Sequence, residues 1–205
     1  MFPSNSEFLQ NSKQYLSKKY FVVFFSLLFA IVLSGVLQDE NVMNHFLKIS
    51  PWLVVVQLLL SLFVSGSIMV GISSYTMSIA KGEGIHFKRL FGHFNSLKPF
   101  FAFLIYTSSV LVGLILLIVP GVILALLFSQ VFFVLANDSD IGVRDAFKKS
   151  KHMMSDRKMQ FFLLQLRFLL YFLLGVFTLG IWWIWLLPKY YVAIALFFLE
   201  LSKAE

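Results

Sequence analysis

The sequence predicts an all-α, polytopic membrane bundle of about six transmembrane helices, with amphipathic helices lying in the interface on the cytoplasmic side. Three observations predict it. Hydrophobic residues make up 59% of the 205-residue chain and charged residues 13%, against roughly 45–50% and about 25% in soluble domains. Apolar stretches of the roughly 20 residues that a helix needs to cross the hydrocarbon core recur along the chain. Most of the 17 Lys and Arg residues fall in segments that alternate with those stretches, as the positive-inside rule requires. A water-soluble globular fold, a coiled coil and a disordered chain are excluded by the same numbers. The absence of cysteine excludes disulfides, thiolate metal sites and thiol nucleophiles.

The elements follow in order. Residues 1–19 form a basic segment with Lys13, Lys18 and Lys19. The first span covers about 20–37. It is longer than a signal-peptide core and lacks a small-residue cleavage site, so it is read as uncleaved. The second covers 52–80, with Pro51 well placed at a helix start and Lys81-Gly82 at its end. It exceeds one crossing and must tilt or carry its Ser-rich end past the bilayer surface. Residues 99–136 carry no charge, too long for one helix and right for two, 99–118 and 121–136, joined at Val119-Pro120-Gly121. The last pair, 159–178 and 182–201, meets at Thr178-Leu179-Gly180, and Pro188 is expected to break its second helix. The whole chain is one integral membrane domain, with basic cytoplasmic loops at 81–98 and 137–158 and both termini cytoplasmic. Lys48 lies on the opposite side, in a loop with Asp39 and Glu40.

Both basic loops are patterned. In the first, Phe87, Leu90, Phe91 and Phe94 recur at helical spacing beside Lys88 and Arg89; in the second, Val143, Ala146, Phe147, Ser150 and Met154 do so opposite Arg144, Lys148, Lys149 and Lys151. Both read as interfacial helices, the second capped by Ser139 or Asp140. Basic amphipathic helices are drawn to anionic lipid at about 1 kcal/mol per Lys or Arg near the surface. That accounts for the net charge of +7 without nucleic acid. A loop-plus-hairpin unit also repeats weakly, with Phe87-Lys88-Arg89 before Pro99-Phe100-Phe101 matching Phe147-Lys148-Lys149 before Gln160-Phe161-Phe162.

The C-terminal half carries Val119-Pro120-Gly121, Ser150-Lys151 and Met154, Lys158 with Phe162-Leu163-Leu164, then Thr178-Leu179-Gly180-Ile181 and Pro188. In this order the motifs resemble domain-of-unknown-function family nine-seven-five, over about residues 81–201. The resemblance implies a small bacterial protein of the cytoplasmic membrane with several spans, and no particular reaction. Arg167, Lys189 and Phe198 stand where that family usually has a small polar residue, Tyr and Tyr.

Arg167 and Lys189 are cations inside spans that hold no acidic partner in their cores. A cation at mid-bilayer costs roughly 2.5–3.5 kcal/mol on insertion scales, so these two, with the in-membrane Gln165 and Gln130, are the candidate ligand-binding residues. Arg167 is near enough to one surface to snorkel; Lys189 lies deeper, just after Pro188. Lys88, Arg89, Arg144, Lys148, Lys149 and Lys151 are the candidate headgroup contacts. Pro120, Gly121, Gly180 and Pro188 are structural. Ser61, Ser65, Gly66, Ser67 and Gly71 read as a close helix-packing face. Asp138-Ser139-Asp140 reads as a helix cap before a metal motif, and His86 and His93 lack the partners of a zinc site. No catalytic residue, metal or cofactor is expected.

Three functions remain. The favoured one is a non-enzymatic bacterial membrane protein acting in envelope homeostasis, or in export of or resistance to a membrane-active peptide or lipid, alone, as a homo-oligomer or beside a transporter. The next is a small transporter or channel for an anionic solute or lipid, using Lys189 and Arg167. A membrane-embedded enzyme on lipid-linked substrates comes last.

Overall fold

The computed structural model describes residues 2–16, 19–36 and 50–204. These residues are helices and connecting turns, with no strand among them. Lys18, Asp39, Glu40 and Lys48 of the sequence reading lie outside the described residues. In chain order the helices are α1 (Asn5–Leu16), α2 (Tyr20–Val36), α3 (Pro51–Ala80), α4 (Lys98–Leu116), α5 (Ile118–Leu127), α6 (Val131–Asn137), α7 (Val143–Met154), α8 (Lys158–Phe177) and α9 (Trp183–Lys203), with a 3-10 helix at Phe87–Phe91 between α3 and α4. Among the described residues five spans are long and apolar enough to cross a membrane: α3, α4, α5 with α6, α8 and α9. A sixth arises when α1 and α2, bent by 102° from each other, are taken as one broken span.

Local chemistry explains most boundaries. Pro51 occupies the first turn of α3, where its missing N–H removes no helical bond. At the α8/α9 turn, Leu179 and Gly180 both take left-handed φ, 52° and 83°, and the Gly180 amide donates to the Gly175 carbonyl at 3.1 Å. That closes the end of α8 in the manner of a glycine C-cap. The earlier turn differs from the sequence expectation. The chain breaks at Leu117, whose backbone is extended, and α5 begins at Ile118, so Pro120 and Gly121 sit inside its first turn and not between two helices. Gly121 is there because α4 is close: a side-chain carbon on Gly113 would stand 2.8 Å from the Gly121 Cα.

The predicted span 121–136 stands as one stretch, Ile118–Asn137, long and apolar enough to cross, with a turn at 128–130 dividing it into α5 and α6. One further expectation is corrected: α9 runs unbroken through Pro188. A proline early in a helix frees only the carbonyl four residues before it, here Ile184, and Pro188 itself is buried.

α3 is the axis of the bundle, and its small residues set how close its neighbours come. Gly66 lies under the Pro99 carbonyl and Gly71 under the Leu90 backbone, so that a methyl group at either position would strike main chain. This is the packing face that Ser61, Ser65, Gly66, Ser67 and Gly71 predicted, and it is the usual way membrane helices approach without a hydrophobic driving force. Phe133 of α6 stacks on Phe198 of α9 at 5.5 Å, and Phe161 of α8 meets Phe197 at 5.0 Å.

One end of the bundle gathers the charged segments. Gln160 donates to the Pro3 carbonyl at 2.7 Å while Asn5 donates to the Gln160 carbonyl at 3.2 Å. Lys81 reaches Asn137 Oδ1 at 3.4 Å and Lys98 the Ser139 carbonyl at 2.6 Å. His152, Arg157, Leu201 and Ala204 share a pocket at the same end. Pro3 and Asn5, both basic loops and the end of α9 therefore lie together, as the distribution of Lys and Arg in the loops predicted, whereas Lys13, expected with them, lies beside Lys189 farther along α9.

Candidate functional site

The second basic segment builds a groove. Val143–Met154 forms the amphipathic helix that its spacing predicted, with Ala146, Phe147, Ser150, Met153 and Met154 buried. That face packs on protein: Phe147 meets Phe128 edge-on at 5.0 Å, and the Ser150 hydroxyl donates to the Leu127 carbonyl at 2.8 Å. Leu127 ends α5, so its carbonyl is one of those a helix terminus leaves without an internal partner. The helix is not capped by Ser139 or Asp140. Its N-cap is Gly142, and Asp138 Oδ1 instead accepts from the Asp140 and Ile141 amides at 3.0 and 3.3 Å, tying the linker into an Asx turn before the helix begins.

Docking α7 this way leaves its basic face outward, beside an open trough of about 650 Å³. The floor is apolar, formed by Phe101 and Ile105 of α4 with Phe128, Val143 and Phe147; Arg144, Lys148 and Lys151 line the rim. Lys148 pairs with Asp145 at 3.2 Å, but both side chains are well exposed, so the pair is worth little. No carboxylate of the described residues is bonded to Arg144 or Lys151. Lys149, on the same helix, is not a lining residue of the trough.

The first basic segment behaves otherwise. In place of an interfacial helix it forms a five-residue 3-10 helix folded against α3, with Leu90 buried and Phe91 and Phe94 packed on the core. Arg89 is held by Glu83 at 2.9 Å. His93 is partly buried with its Nδ1 unpaired, and that burial lowers its pKa below the usual value near 6.5. Lys88 and Arg89 thus do not share a groove with the cations of α7.

The intramembrane candidates are separated by the fold. Gln165 lines a chamber of about 180 Å³ where α3, α4, α6, α8 and α9 converge, together with Tyr106, Ser129, Tyr190 and Tyr191. Gln130 is fully buried beside this chamber and donates to the Ser129 hydroxyl at 3.0 Å, its Oε1 left without a partner. Arg167 is exposed on the surface of α8 and lines neither the chamber nor the groove that holds Lys189. Lys189 faces α1 and α2: its ammonium lies 5.8 Å from the centre of the Tyr20 ring, and it shares a groove of about 540 Å³ with Lys13. The sequence marks Lys13 only as part of a basic flank. Nothing in the sequence marked the two lysines as neighbours, because α1 is not apolar enough to look like part of the bundle.

A bundle of apolar helices with its charged segments at one end defines a multi-pass membrane protein. Residues 102–205, just over half of the chain, match the family described as "Protein of unknown function (DUF975)", and the chain belongs to that family. No curated protein and no solved structure matches it.

Proposed function

We propose that the protein is a non-enzymatic component of the bacterial cytoplasmic membrane that binds an anionic lipid at its basic, cytoplasmic end and acts in envelope homeostasis, alone or beside a transporter. The observation that carries this reading is the trough of about 650 Å³ beside α7: an apolar floor rimmed by Arg144, Lys148 and Lys151. An amphiphile with a negative head matches both parts at once, whereas a soluble anion would leave the phenyl floor uncovered. Attraction of about 1 kcal/mol per surface cation gives three such residues roughly a hundredfold preference for an anionic over a zwitterionic headgroup.

The test is lipid retention. The full chain, extracted in mild detergent from membranes containing phosphatidylglycerol and phosphatidylcholine, is weighed by native mass spectrometry with and without the triple substitution Arg144→Gln, Lys148→Gln, Lys151→Gln. Retained phosphatidylglycerol falls steeply in the variant if the reading is right. Equal retention of the two lipids by the unsubstituted chain defeats it.

A further inference from the structure

A second cationic groove lies far along α9 from the chain's end and does not depend on α7. Its walls come from three helices: Leu9, Gln10 and Lys13 from α1, Tyr171 from α8, and Trp182, Trp185, Leu186 and Lys189 around the start of α9. α1 is brought there by its apolar stripe. Phe8 and Leu16 are fully buried, and Phe8 packs on Phe197 at 5.3 Å, so the helix lies along α9 and delivers Lys13 to the level of Lys189.

Among the described residues the charges in this groove do not balance. Lys13 and Lys189 line the same groove. On the elements packed around them, Glu7 is turned to the Ser4 amide, Glu200 is paired with Lys203, and α2 carries no carboxylate. The Tyr20 ring offers Lys189 a cation–π contact, which softens the charge without neutralising it. Two ammonium groups facing one apolar, aromatic groove repel one another, and the natural relief is an anion between them. Ammonium groups from two different helices can each reach a separate oxygen of a tetrahedral phosphate. Trp182 and Trp185 are residues of the kind that settle at headgroup depth, while Leu9 and Leu186 offer aliphatic surface beside them.

We propose that Lys13 and Lys189 together bind the phosphate of an anionic phospholipid, held between the N-terminal helix and α9, with its chains against Leu9, Leu186 and the two indoles. The bound lipid would then fasten α1 to the bundle.

The experiment uses the full chain in nanodiscs of phosphatidylcholine alone, of phosphatidylcholine with phosphatidylglycerol, and of phosphatidylcholine with inorganic phosphate in the buffer, reading thermal unfolding and the number of retained lipids. A ligand that binds only the folded state raises the melting temperature. Phosphatidylglycerol is expected to raise it in the unsubstituted chain. Lys13→Met and Lys189→Met each lower retention roughly fivefold, Lys13→Arg and Lys189→Arg keep most of it, and the double Met variant keeps one lipid fewer than the parent. Because Lys13 is exposed, Lys13→Met carries the test even if Lys189→Met does not fold. Retention unchanged in Lys13→Met overturns the proposal. So does an equal rise in melting temperature with inorganic phosphate alone, which would make the site one for a free anion. The outcome is separable from that of the α7 trough, since Arg144, Lys148 and Lys151 remain in all these variants.

Discussion

The segments 81–98 and 137–158 begin from similar material, basic residues interleaved with apolar ones at helical spacing, and end as different objects. One is pressed into the bundle as a single 3-10 turn, its Arg89 bound by Glu83 and its phenyl rings turned onto α2 and α3. The other is a three-turn helix whose cations stay outside. Backbone composition decides this. The first segment is cut by Gly82 and Gly84, both at left-handed φ, and by Gly92, and Gly71 gives its Leu90 backbone a place to settle. The second has one glycine, at its N-cap, followed by Ala, Lys and Met, which favour helix. Hydrophobic spacing alone therefore does not tell an interfacial helix from a loop that will be absorbed.

The comparison can be broken in order of effect. Phe147→Ala should cost about 3–5 kcal/mol, the range for emptying a buried phenyl site, and should release α7 from Phe128; unfolding monitored by tryptophan fluorescence reads the loss. Gly71→Val is expected to cost roughly 1–3 kcal/mol by forcing the Leu90 backbone off α3. Proteolysis between residues 81 and 98 should then accelerate, while the α7 segment stays protected. Ser150→Ala should cost about 1–2 kcal/mol, since it removes the partner of the Leu127 carbonyl as well as a hydrogen bond.

His93 sharpens the contrast through pH. Its pKa is lowered by burial, so the stability that neutral His93 allows is present above its ordinary value near 6.5 and is lost as pH falls from there through the lowered value. Melting temperatures measured downward from pH 8 should decline in the parent chain, and the decline should flatten in His93→Gln. The smallest effect belongs to Arg89→Gln, at about 0.5 kcal/mol or less, because the Arg89–Glu83 pair is exposed. An equilibrium unfolding curve displaced by more than that would show that the ion pair fastens the first segment.

Much of this arrangement was legible beforehand. Apolar length located α3, α8 and α9 to within a residue or two, since a bilayer-crossing helix must be continuous in composition, while α2 was located as a helix but, at 17 residues, counts as a crossing only together with α1. The buried face of α7 was legible at Ala146, Phe147, Ser150 and Met154, because buried positions repeat every three to four residues, whereas Val143 is only half-buried and Met153 is buried without having been singled out. Gly180 was recognised as a turn for a reason that holds in isolation, its left-handed φ. The α4/α5 hairpin was placed two residues late, because Val119-Pro120-Gly121 looks like a turn while Pro120 is equally at home in a helix's first turn. Its tip, Ile118 and Val119, borders an apolar groove with Lys158, Met159 and Phe162 at the start of α8, a contact between residues some forty positions apart that no local pattern announces.

By itself the sequence determined the class: an all-helical membrane chain with several apolar spans, and the gathering of its two basic loops at one end. Those follow from the cost of leaving charge and unpaired backbone in hydrocarbon, which acts residue by residue along the chain. Only the tertiary structure decided which cations share a site. It separated Arg167 from Lys189, joined Lys189 to Lys13, spent Arg89 on Glu83 and left Arg144, Lys148 and Lys151 around an apolar trough. The reason is that packing depends on close approach, here of Leu90 over Gly71 and Phe8 against Phe197, and such contacts between distant segments set which charges meet.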